Sequence, residues 1–508
     1  MPCRLYLFGV LDEHAGGSFG AFGERARWGK RVIGTRLALW WIAALILARL
    51  AMAAVLPLSA DEAYYWLWSR HLAAGYYDHP PAIAFVIRFG TWLLGDTELG
   101  VRLGGVLLSV LASWFIWRTG QLILGDEDRA ALAVLLFNLT LMIGVEMLAA
   151  TPDTLSVSAT AGFLFFLAKM EKTGDGRWWL GVGVAGGLGL LAKYSGFFVG
   201  LGALVWLVAS PRARAFLKTP WPWAGALVAL IIFLPNLWWQ NHHHWMTFVF
   251  QFGRVTGGHL TGRYLLEFVG AQLGLATPFV LILMISGGVR ARHADDPRFL
   301  LLCLVAPALV YFLIHALHER VQGNWPAFLY PMLAVLAADA FARDGKGHDR
   351  TGWASRLAMP VAALVLMIAY LQAATGFLPL KGDPLARLLG VGMRETAQDL
   401  TRIEERRGAH AILAGDYEMT AWLRFYAPAL DVIAVDQPNR YLEAPRIRVG
   451  QGPILYVTER ETDRTLLANF GTVTRLPDLV RARHTRQIAR YPLWQLAQPR
   501  RAMDGKTP

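Results

Sequence analysis

Ionisable and aromatic side chains are concentrated in one short stretch of this chain, residues 59–81. The stretch begins with the adjacent carboxylates Asp61 and Glu62 and ends with Asp78 and His79. It directly follows an apolar run long enough to cross a bilayer, where carboxylates are costly to keep unless they have a task. We therefore predict that this stretch carries the chemistry of the protein, with Asp61 as its catalytic centre.

The two adjacent carboxylates also have structural explanations. Ser59-x-x-Glu62 matches a capping box, so Glu62 is predicted either to cap a helix or to contact substrate. Asp61 would then lie in the first helical turn, where the helix dipole also stabilises a carboxylate. Aromatic residues follow three, four and seven positions after Asp61, and they would bind a sugar or form part of an interfacial belt. These residues are Tyr64, Tyr65 and Trp68.

The end of the stretch predicts a metal site. Aspartate and histidine are common ligands of divalent metals, although an ordinary turn with a helix cap has the same sequence. A site needs further ligands placed by the fold, and three histidines follow at 242–244. We predict Asp78 and His243 as ligands of a divalent metal ion, and Tyr77 and His79 as substrate contacts.

A second acidic position and several isolated basic residues complete the candidate set. Asp153 follows Pro152 at the end of an apolar run, where it would cap the next helix or act as a second catalytic acid. Basic residues on the same predicted side are discouraged by the positive-inside rule, so phosphate recognition would explain them. Contact with lipid headgroups is the alternative for each. They are Lys193, followed by Tyr194, and Arg254, Arg263 and Arg320.

The composition indicates a polytopic membrane protein. Hydrophobic residues make up 55% of the 508 and charged residues only 17%, against about 25% charged in soluble domains. The net charge is +12, but the basic residues lie in short connections between apolar runs. That pattern sets membrane topology and argues against nucleic-acid binding. Cys3 and Cys303 are too differently placed for a structural disulfide.

Eleven apolar runs are predicted as membrane spans. Residues 80–98 are apolar but contain Arg88, and we predict an interfacial helix there. The spans lie, with errors of about two to four residues, near 37–56, 99–124, 130–148, 154–169, 178–192, 195–209, 221–236, 265–287, 298–315, 325–342 and 356–375.

Charge asymmetry and composition divide the chain into three parts. Residues 1–36 are predicted as a cytoplasmic segment, and residues 37–375 as the transmembrane catalytic domain with its first outer loop at 57–98. Residues 376–508 are predicted as a small periplasmic α/β domain. Within it, the pattern predicts helices at 394–407 and 418–426 and strands at 411–414, 432–435 and 454–457.

Taken together, these residues resemble the GT-C fold glycosyltransferases that use polyprenyl-phosphate sugars. The likeness covers about residues 37–335 and is strongest to the bacterial aminoarabinose and galacturonic acid transferases of lipid A and lipopolysaccharide core. Protein O-mannosyltransferases are more distant relatives. The motifs are Asp61-Glu-Ala-Tyr-Tyr-Trp66, Gly75-Tyr-Tyr-Asp-His-Pro-Pro81, Ala150-Thr-Pro-Asp153, Leu191-Ala-Lys-Tyr194 and Asn324-Trp-Pro326.

The resemblance implies an all-α membrane domain of about eleven to thirteen spans and an undecaprenyl-phosphate sugar donor. It matches Asp61 to the catalytic carboxylate, Asp153 to a second active-site acid, and Asp78 to a metal-binding position of some members. The chain departs from the aminoarabinose branch at His79, where that branch has a basic residue, and near Gln251 and Arg254. Asn324 and Trp325 join the expected substrate contacts.

The resulting hypothesis is an inner-membrane enzyme in which Asp61 is the general base of an inverting transfer. The acceptor would be periplasmic, with lipid A or lipopolysaccharide core favoured. A protein O-glycosyltransferase of the same fold is one alternative. A transporter or flippase is another, although transporters place their sites near the bilayer midplane. A lipid-linked glycan ligase or polymerase is a third.

Overall fold

The computed structural model describes residues 33–253, 260–344, 352–442, 452–459 and 463–500. Helices dominate the first three quarters of the chain, and a five-stranded sheet lies in the last quarter. This confirms the predicted fold class, a helical membrane protein with a small carboxyl-terminal α/β unit.

The helical part contains seventeen α-helices and two short 3₁₀ helices within the described residues. The 3₁₀ helices are Ala215–Lys218 and Trp325–Leu329. The α-helices are α1 Thr35–Val55, α2 Ala60–Arg70, α3 Ala82–Leu94, α4 Glu98–Leu124, α5 Glu127–Leu139, α6 Leu141–Glu146, α7 Pro152–Thr173, α8 Trp178–Ala192, α9 Gly196–Ala209, α10 Pro211–Arg214, α11 Trp221–His242, α12 Met246–Gly253, α13 Arg263–Ala276, α14 Pro278–Arg290, α15 Phe299–His315, α16 Tyr330–Asp344 and α17 Gly352–Thr375.

Several of these helices are long and apolar enough to cross a membrane, and the protein is a multi-pass membrane protein. In the described part, five helices meet that test, or seven if each of two bent pairs counts as one span. The eleven predicted runs are all helical, but two are interrupted. The run at 130–148 breaks at Thr140, and that at 265–287 bends by 103°. The bend lies at Thr277-Pro278, where Thr277 has a φ of 67° and proline cannot donate a helical hydrogen bond.

Helix α3 is the predicted interfacial helix. Its thirteen residues span about 20 Å at 1.5 Å per residue, less than the hydrocarbon core of about 30 Å. One face, including Ile83 and Ile87, is buried, while Phe85, Phe89 and Trp92 are exposed. An amphipathic helix of this length suits the membrane surface better than a crossing.

The carboxyl-terminal part is built on a mixed sheet of order β2-β1-β3-β5-β4. Strand β1 pairs in parallel with β2 and β3, and β5 pairs antiparallel with β3 and β4. The predicted helices and short strands are present, but the long β4–β5 hairpin was not predicted, because its many arginines interrupt an apolar alternation. The elements are α18 Pro384–Leu388, α19 Met393–Arg407, β1 Ile412–Ala414, α20 Tyr417–Tyr426, β2 Val432–Ala434, a 3₁₀ helix Pro438–Tyr441, β3 Ile454–Val457, α21 Arg464–Ala468, β4 Phe470–Arg483 and β5 Arg486–Pro499.

The sheet unit docks on the first outer loop through α20. The indole N–H of Trp422 donates to the Leu58 carbonyl at 3.0 Å, and the Leu58 N–H donates to the Tyr426 hydroxyl at 2.9 Å. The rings of Trp66 and Phe425 meet edge to face at 5.0 Å. Helix α2 and α20 therefore share one hydrophobic core, and the loop that carries Asp61 lies between the membrane helices and the sheet.

Candidate active site

Asp61 lies in the first turn of α2, next to the sheet unit. The residue is exposed, and the hydroxyl of Tyr417 donates to its Oδ1 at 3.2 Å. Protein atoms crowded around the carboxyl raise its pKa, and the Tyr417 hydrogen bond and the Arg440 charge offset only part of that rise. A solvent-accessible carboxylate with a raised pKa is suited to accept a proton.

Glu62 has a structural role. Its carboxylate and the Ser59 hydroxyl form the predicted capping box, and its Oε1 lies 2.6 Å from the Nε of the buried Arg102. The Ala150 N–H also donates to it at 3.1 Å. Burial alone would raise the pKa of Glu62, but Arg102 and these hydrogen bonds lower it. The predicted substrate contact is therefore corrected: Glu62 is fully buried and ties α2 to α4 and the loop before α7.

We expect Glu62→Gln to destabilise the fold by about 3–5 kcal/mol, because it leaves the Arg102 charge buried without its partner. Thermal unfolding of the purified protein in detergent measures this. Since the pKa of Glu62 is lowered, its contribution is present above the carboxyl's unfolded pKa and is lost as pH falls through the folded pKa. The control is Asp399→Asn in the exposed Arg402 pair, expected to cost at most about 1 kcal/mol. Equal unfolding temperatures for the two variants would contradict this role.

Asp153 forms the centre of a second polar cluster. It is buried at the start of α7, and its two carboxylate oxygens accept from Lys193 Nζ at 2.8 and 2.9 Å. The side-chain amide of Asn324 donates to the same carboxylate at 3.3 Å. The fold thus joins residues of three separate segments that the sequence had marked independently. Lys193 retains some exposure, 15% of its side chain, so its ammonium is within reach of a ligand.

The predicted aromatic face is a packed wall. Tyr64, Tyr65 and Trp68 are all buried, and Trp68 stacks on Tyr76 at 4.3 Å with nearly parallel rings. Tyr64 meets the ring of Tyr417 at 6.0 Å. This corrects the expectation of an open sugar-stacking surface, because these rings pack against other aromatic rings and are buried. They belong to the hydrophobic core around α2, the helix that carries Asp61.

Asp78 faces an arginine of the sheet unit. Its Oδ2 lies 2.6 Å from Arg440 Nη1, and both side chains are largely buried. His243, the other predicted ligand, stacks on Trp239 at 3.9 Å and has its Nδ1 2.9 Å from the Trp239 carbonyl. Within the described ranges, no three His, Cys, Asp or Glu side chains form a group that could hold a metal ion. The predicted metal ligands do not fit a metal site, since a guanidinium already neutralises Asp78.

The remaining residues of the first loop are held by the end of α11 and by α12. The Asn236 amide donates to the Ala74 carbonyl at 2.8 Å, and the Thr247 hydroxyl donates to the Tyr76 carbonyl at 2.7 Å. Tyr194 joins this network through Asn236, at 3.1 Å. Tyr194 is partly exposed, and its substrate contact stays a prediction. Tyr77 and His79 remain partly exposed and stay candidates for substrate contact.

A cavity of about 870 Å³ opens beside the second cluster. Asn324 lines it and also reaches Asp153, so the cavity adjoins the Asp153–Lys193 pair. Trp325 and Arg320 lie on its wall. Arg320 is 76% exposed and lies 3.4 Å from Glu267, which also lines the cavity. The predicted contact Arg254 lies outside the described residues.

Known proteins share this architecture. The ArnT structure from Cupriavidus metallidurans bound to undecaprenyl phosphate superimposes with a TM-score of 0.64 at 18% identity, over 91% of this chain and 98% of that one. The sequence is 27% identical over 385 residues to the lipid A galacturonosyltransferase RgtD of Rhizobium johnstonii, covering 72% of this chain and 76% of that protein. The family model described as dolichyl-phosphate-mannose-protein mannosyltransferase matches residues 78–239. The protein is a glycosyltransferase of the GT-C fold.

A further relative of this glycosyltransferase is named as an arabinosyl transferase. The undecaprenyl phosphate-alpha-4-amino-4-deoxy-L-arabinose arabinosyl transferase 1 of Sodalis glossinidius is 26% identical over 346 residues, which cover 64% of this chain and 60% of that protein. The resemblance seen in the sequence motifs is thereby confirmed for the fold and the enzyme class.

Three residues of this GT-C glycosyltransferase that the sequence did not single out contact the candidate site. Arg102 pairs with Glu62, Tyr417 with Asp61, and Arg440 with Asp78. Arg102 could have been found as an arginine within an apolar run, which needs a buried partner. Tyr417 and Arg440 carry no such signal, because they lie in an ordinary polar segment.

Proposed function

We propose that this glycosyltransferase moves a sugar from a polyprenyl-phosphate donor, undecaprenyl phosphate in bacteria, to lipid A or lipopolysaccharide core. The observation that carries the proposal is an accessible carboxylate, Asp61, within electrostatic range of the buried Asp153, which pairs with Lys193. The names of the relatives supply the substrate classes: lipid A for one and an undecaprenyl-phosphate sugar for another.

In the proposed reaction, Asp61 removes the proton from an acceptor hydroxyl. The acceptor oxygen attacks the anomeric carbon and forms the new C–O bond as the bond to the donor phosphate oxygen breaks, and the bonding electrons leave with the lipid phosphate. Attack opposite the leaving group inverts the anomeric configuration. Lys193 offsets the charge that grows on the phosphate, an effect that typically contributes several kcal/mol. Arg320 on the cavity wall is a second candidate cation.

We place the site on the periplasmic side of the inner membrane. The basic residues of the chain lie mainly in alternate connections between the spans, and the positive-inside rule assigns those connections to the cytoplasm. The intervening loops, which carry the site, then lie on the opposite side. Residues 1–36 would then be cytoplasmic, and the sheet unit within 376–508 would be periplasmic. A donor carried on a lipid phosphate suits that compartment, because the activated sugar is already anchored in the membrane.

The reaction proposed here uses no divalent ion at Asp78, because Arg440 already lies against that carboxylate. We therefore expect dialysis against EDTA to leave the rate of transfer by reconstituted enzyme unchanged. Rates are compared before chelation, after chelation, and after adding back Mg²⁺, Mn²⁺ or Zn²⁺. A chelated enzyme that loses activity and regains it with one metal would overturn this expectation.

The test of the function is a paired experiment. In the gene-deletion strain, lipid A, core oligosaccharide and glycoproteins are compared with the parent by mass spectrometry. We expect lipid A or core to lack one sugar residue. Purified enzyme in lipid vesicles is then given undecaprenyl-phosphate galacturonic acid or aminoarabinose with the acceptor from the deletion strain. A glycoprotein change alone would favour the protein O-glycosyltransferase, and unchanged masses in all three would refute the proposal.

A further inference from the structure

The sheet unit brings two side chains against the candidate active site. Tyr417, the first residue of α20, donates its hydroxyl hydrogen to Asp61 Oδ1 at 3.2 Å. Arg440, in the 3₁₀ helix Pro438–Tyr441, lies 2.6 Å from Asp78 Oδ2. One domain therefore contacts both ends of the stretch 59–81, through residues 356 and 362 positions distant in sequence.

Arg440 is fixed through both its side chain and its backbone. Its guanidinium lies over the Tyr417 ring, 4.4 Å from the ring centroid, and over the Tyr64 ring at 5.6 Å. The Tyr64 hydroxyl donates to the Arg440 carbonyl at 3.0 Å. Only 11% of the Arg440 side chain is exposed, so water weakens the cation–π contacts and the ion pair less than at a surface. The Tyr417 ring is thus held by a guanidinium that Asp78 anchors in turn.

We propose that Arg440 and Tyr417 are positioning residues of the transfer reaction: Arg440 fixes the Tyr417 ring, and Tyr417 orients the Asp61 carboxylate toward the acceptor. The inference rests on the proposed function, in which Asp61 is the base. It makes the carboxyl-terminal domain part of the catalytic unit.

The charges around Asp61 give this arrangement a measurable consequence. Burial is the main cause that raises the pKa of Asp61; the Tyr417 hydrogen bond and the Arg440 charge lower it, and the nearby acids Glu62 and Asp153 raise it by smaller amounts. When either residue is lost, one of the two interactions that lower the pKa of Asp61 is missing, so this pKa rises further. The groups that face Asp61 are Tyr417 and Arg440 from the sheet unit, Glu62 and Tyr65 from its own helix, and Asp153 and Glu146 from the membrane domain.

The decisive variant is Tyr417→Phe, which removes one hydroxyl and keeps the ring under Arg440. We expect kcat to fall about 10- to 100-fold, the usual effect of one hydrogen bond to a charged group, with KM little changed. The acid limb of the pH–rate profile should move to higher pH, because Asp61 must lose its proton to act. A merely structural tyrosine would not move that limb. Wild-type kcat and an unmoved limb would refute the positioning role.

Two substitutions of Arg440 test the contributions of its charge and of its planar shape separately. Arg440→Gln should move the acid limb in the same direction as Tyr417→Phe, while Arg440→Lys, which keeps the charge without the planar stacking group, should restore part of the loss. The matched control is Arg475→Gln, an arginine of the same domain that lies over the Trp494 ring and pairs with Asp478. It should leave the limb in place, and a shift equal to that of Arg440→Gln would count against the proposal.

Two outcomes separate this inference from the proposed function. If Asp61→Asn is inactive while Tyr417→Phe behaves as wild type, only the positioning role fails. If Asp61→Asn itself retains transfer, the proposed base is wrong and the inference fails with it. Thermal unfolding is measured for each variant, and an Arg440→Gln protein that does not fold leaves the decision to Tyr417→Phe.

Discussion

Replacing Asp61 with Asn should reduce the kcat of sugar transfer by about 10²- to 10⁴-fold, the usual contribution of a general base. Asparagine keeps the size of the side chain and can still accept from the Tyr417 hydroxyl, so the fold should be preserved. The amide cannot take a proton from the acceptor. Rates are measured with purified enzyme in lipid vesicles, with the unfolding temperature recorded for each variant.

The pH dependence of the wild-type enzyme provides a second readout for Asp61. Its pKa is raised by the surrounding protein, so the base is lost as pH falls through a value above the ordinary aspartate pKa. The acid limb should therefore lie above that of an unperturbed carboxylate. The same shift makes the folded state bind more protons than the unfolded chain, so its effect on stability becomes less favourable as pH rises through that window. Near-normal transfer by Asp61→Asn would show that another group is the base.

The second large effect is expected at Lys193. Replacing it with Met removes the cation that would offset charge on the departing phosphate, and we expect transfer to fall at least about 100-fold. The same change leaves the buried Asp153 carboxylate without its partner at 2.8 Å, and breaking a buried pair typically costs about 3–5 kcal/mol. Reduced rate and reduced stability should therefore appear together in this single variant.

A double variant separates the two effects of Lys193→Met. In Asp153→Asn with Lys193→Met, no unpaired charge remains, so most of the lost stability should return. Transfer should stay low, because the phosphate still lacks its cation. Arg402→Met provides a control on the same predicted side, since that arginine is 60% exposed and pairs with Asp399. Recovery of transfer in the double variant would show that Lys193 only stabilises Asp153.

Local sequence was sufficient for much of the architecture. Apolar runs predicted helices because burial in lipid requires a continuous hydrogen-bonded segment of apolar residues. The capping box at Ser59 and Glu62 was readable because both partners lie within one helical turn. Two of the predicted spans were wrong as single helices, since a break such as that at Thr277 depends on a backbone angle that apolar composition does not record.

The residues of the candidate active site could be predicted only in part from the sequence. Asp61, Asp153 and Lys193 could be chosen individually, since polar groups beside apolar runs are costly without a function. The open aromatic face was wrong, because the residues that cover it were unknown, and no local pattern indicated that Asp78 pairs with an arginine. Tyr64 packs against Tyr417, and Asp78 against Arg440.

Hydropathy and short motifs were enough to predict a helical membrane glycosyltransferase with acids gathered near one loop, because both depend on neighbours within a few turns. The packing of separate elements sets which acid is buried and paired, Glu62, and which is accessible, Asp61. That difference depends on Arg102, 40 residues from Glu62, and on Tyr417 and Arg440, which lie 356 and 362 residues from the acids that they contact. Contacts at such separations are set by how whole elements pack, and no local pattern encodes them.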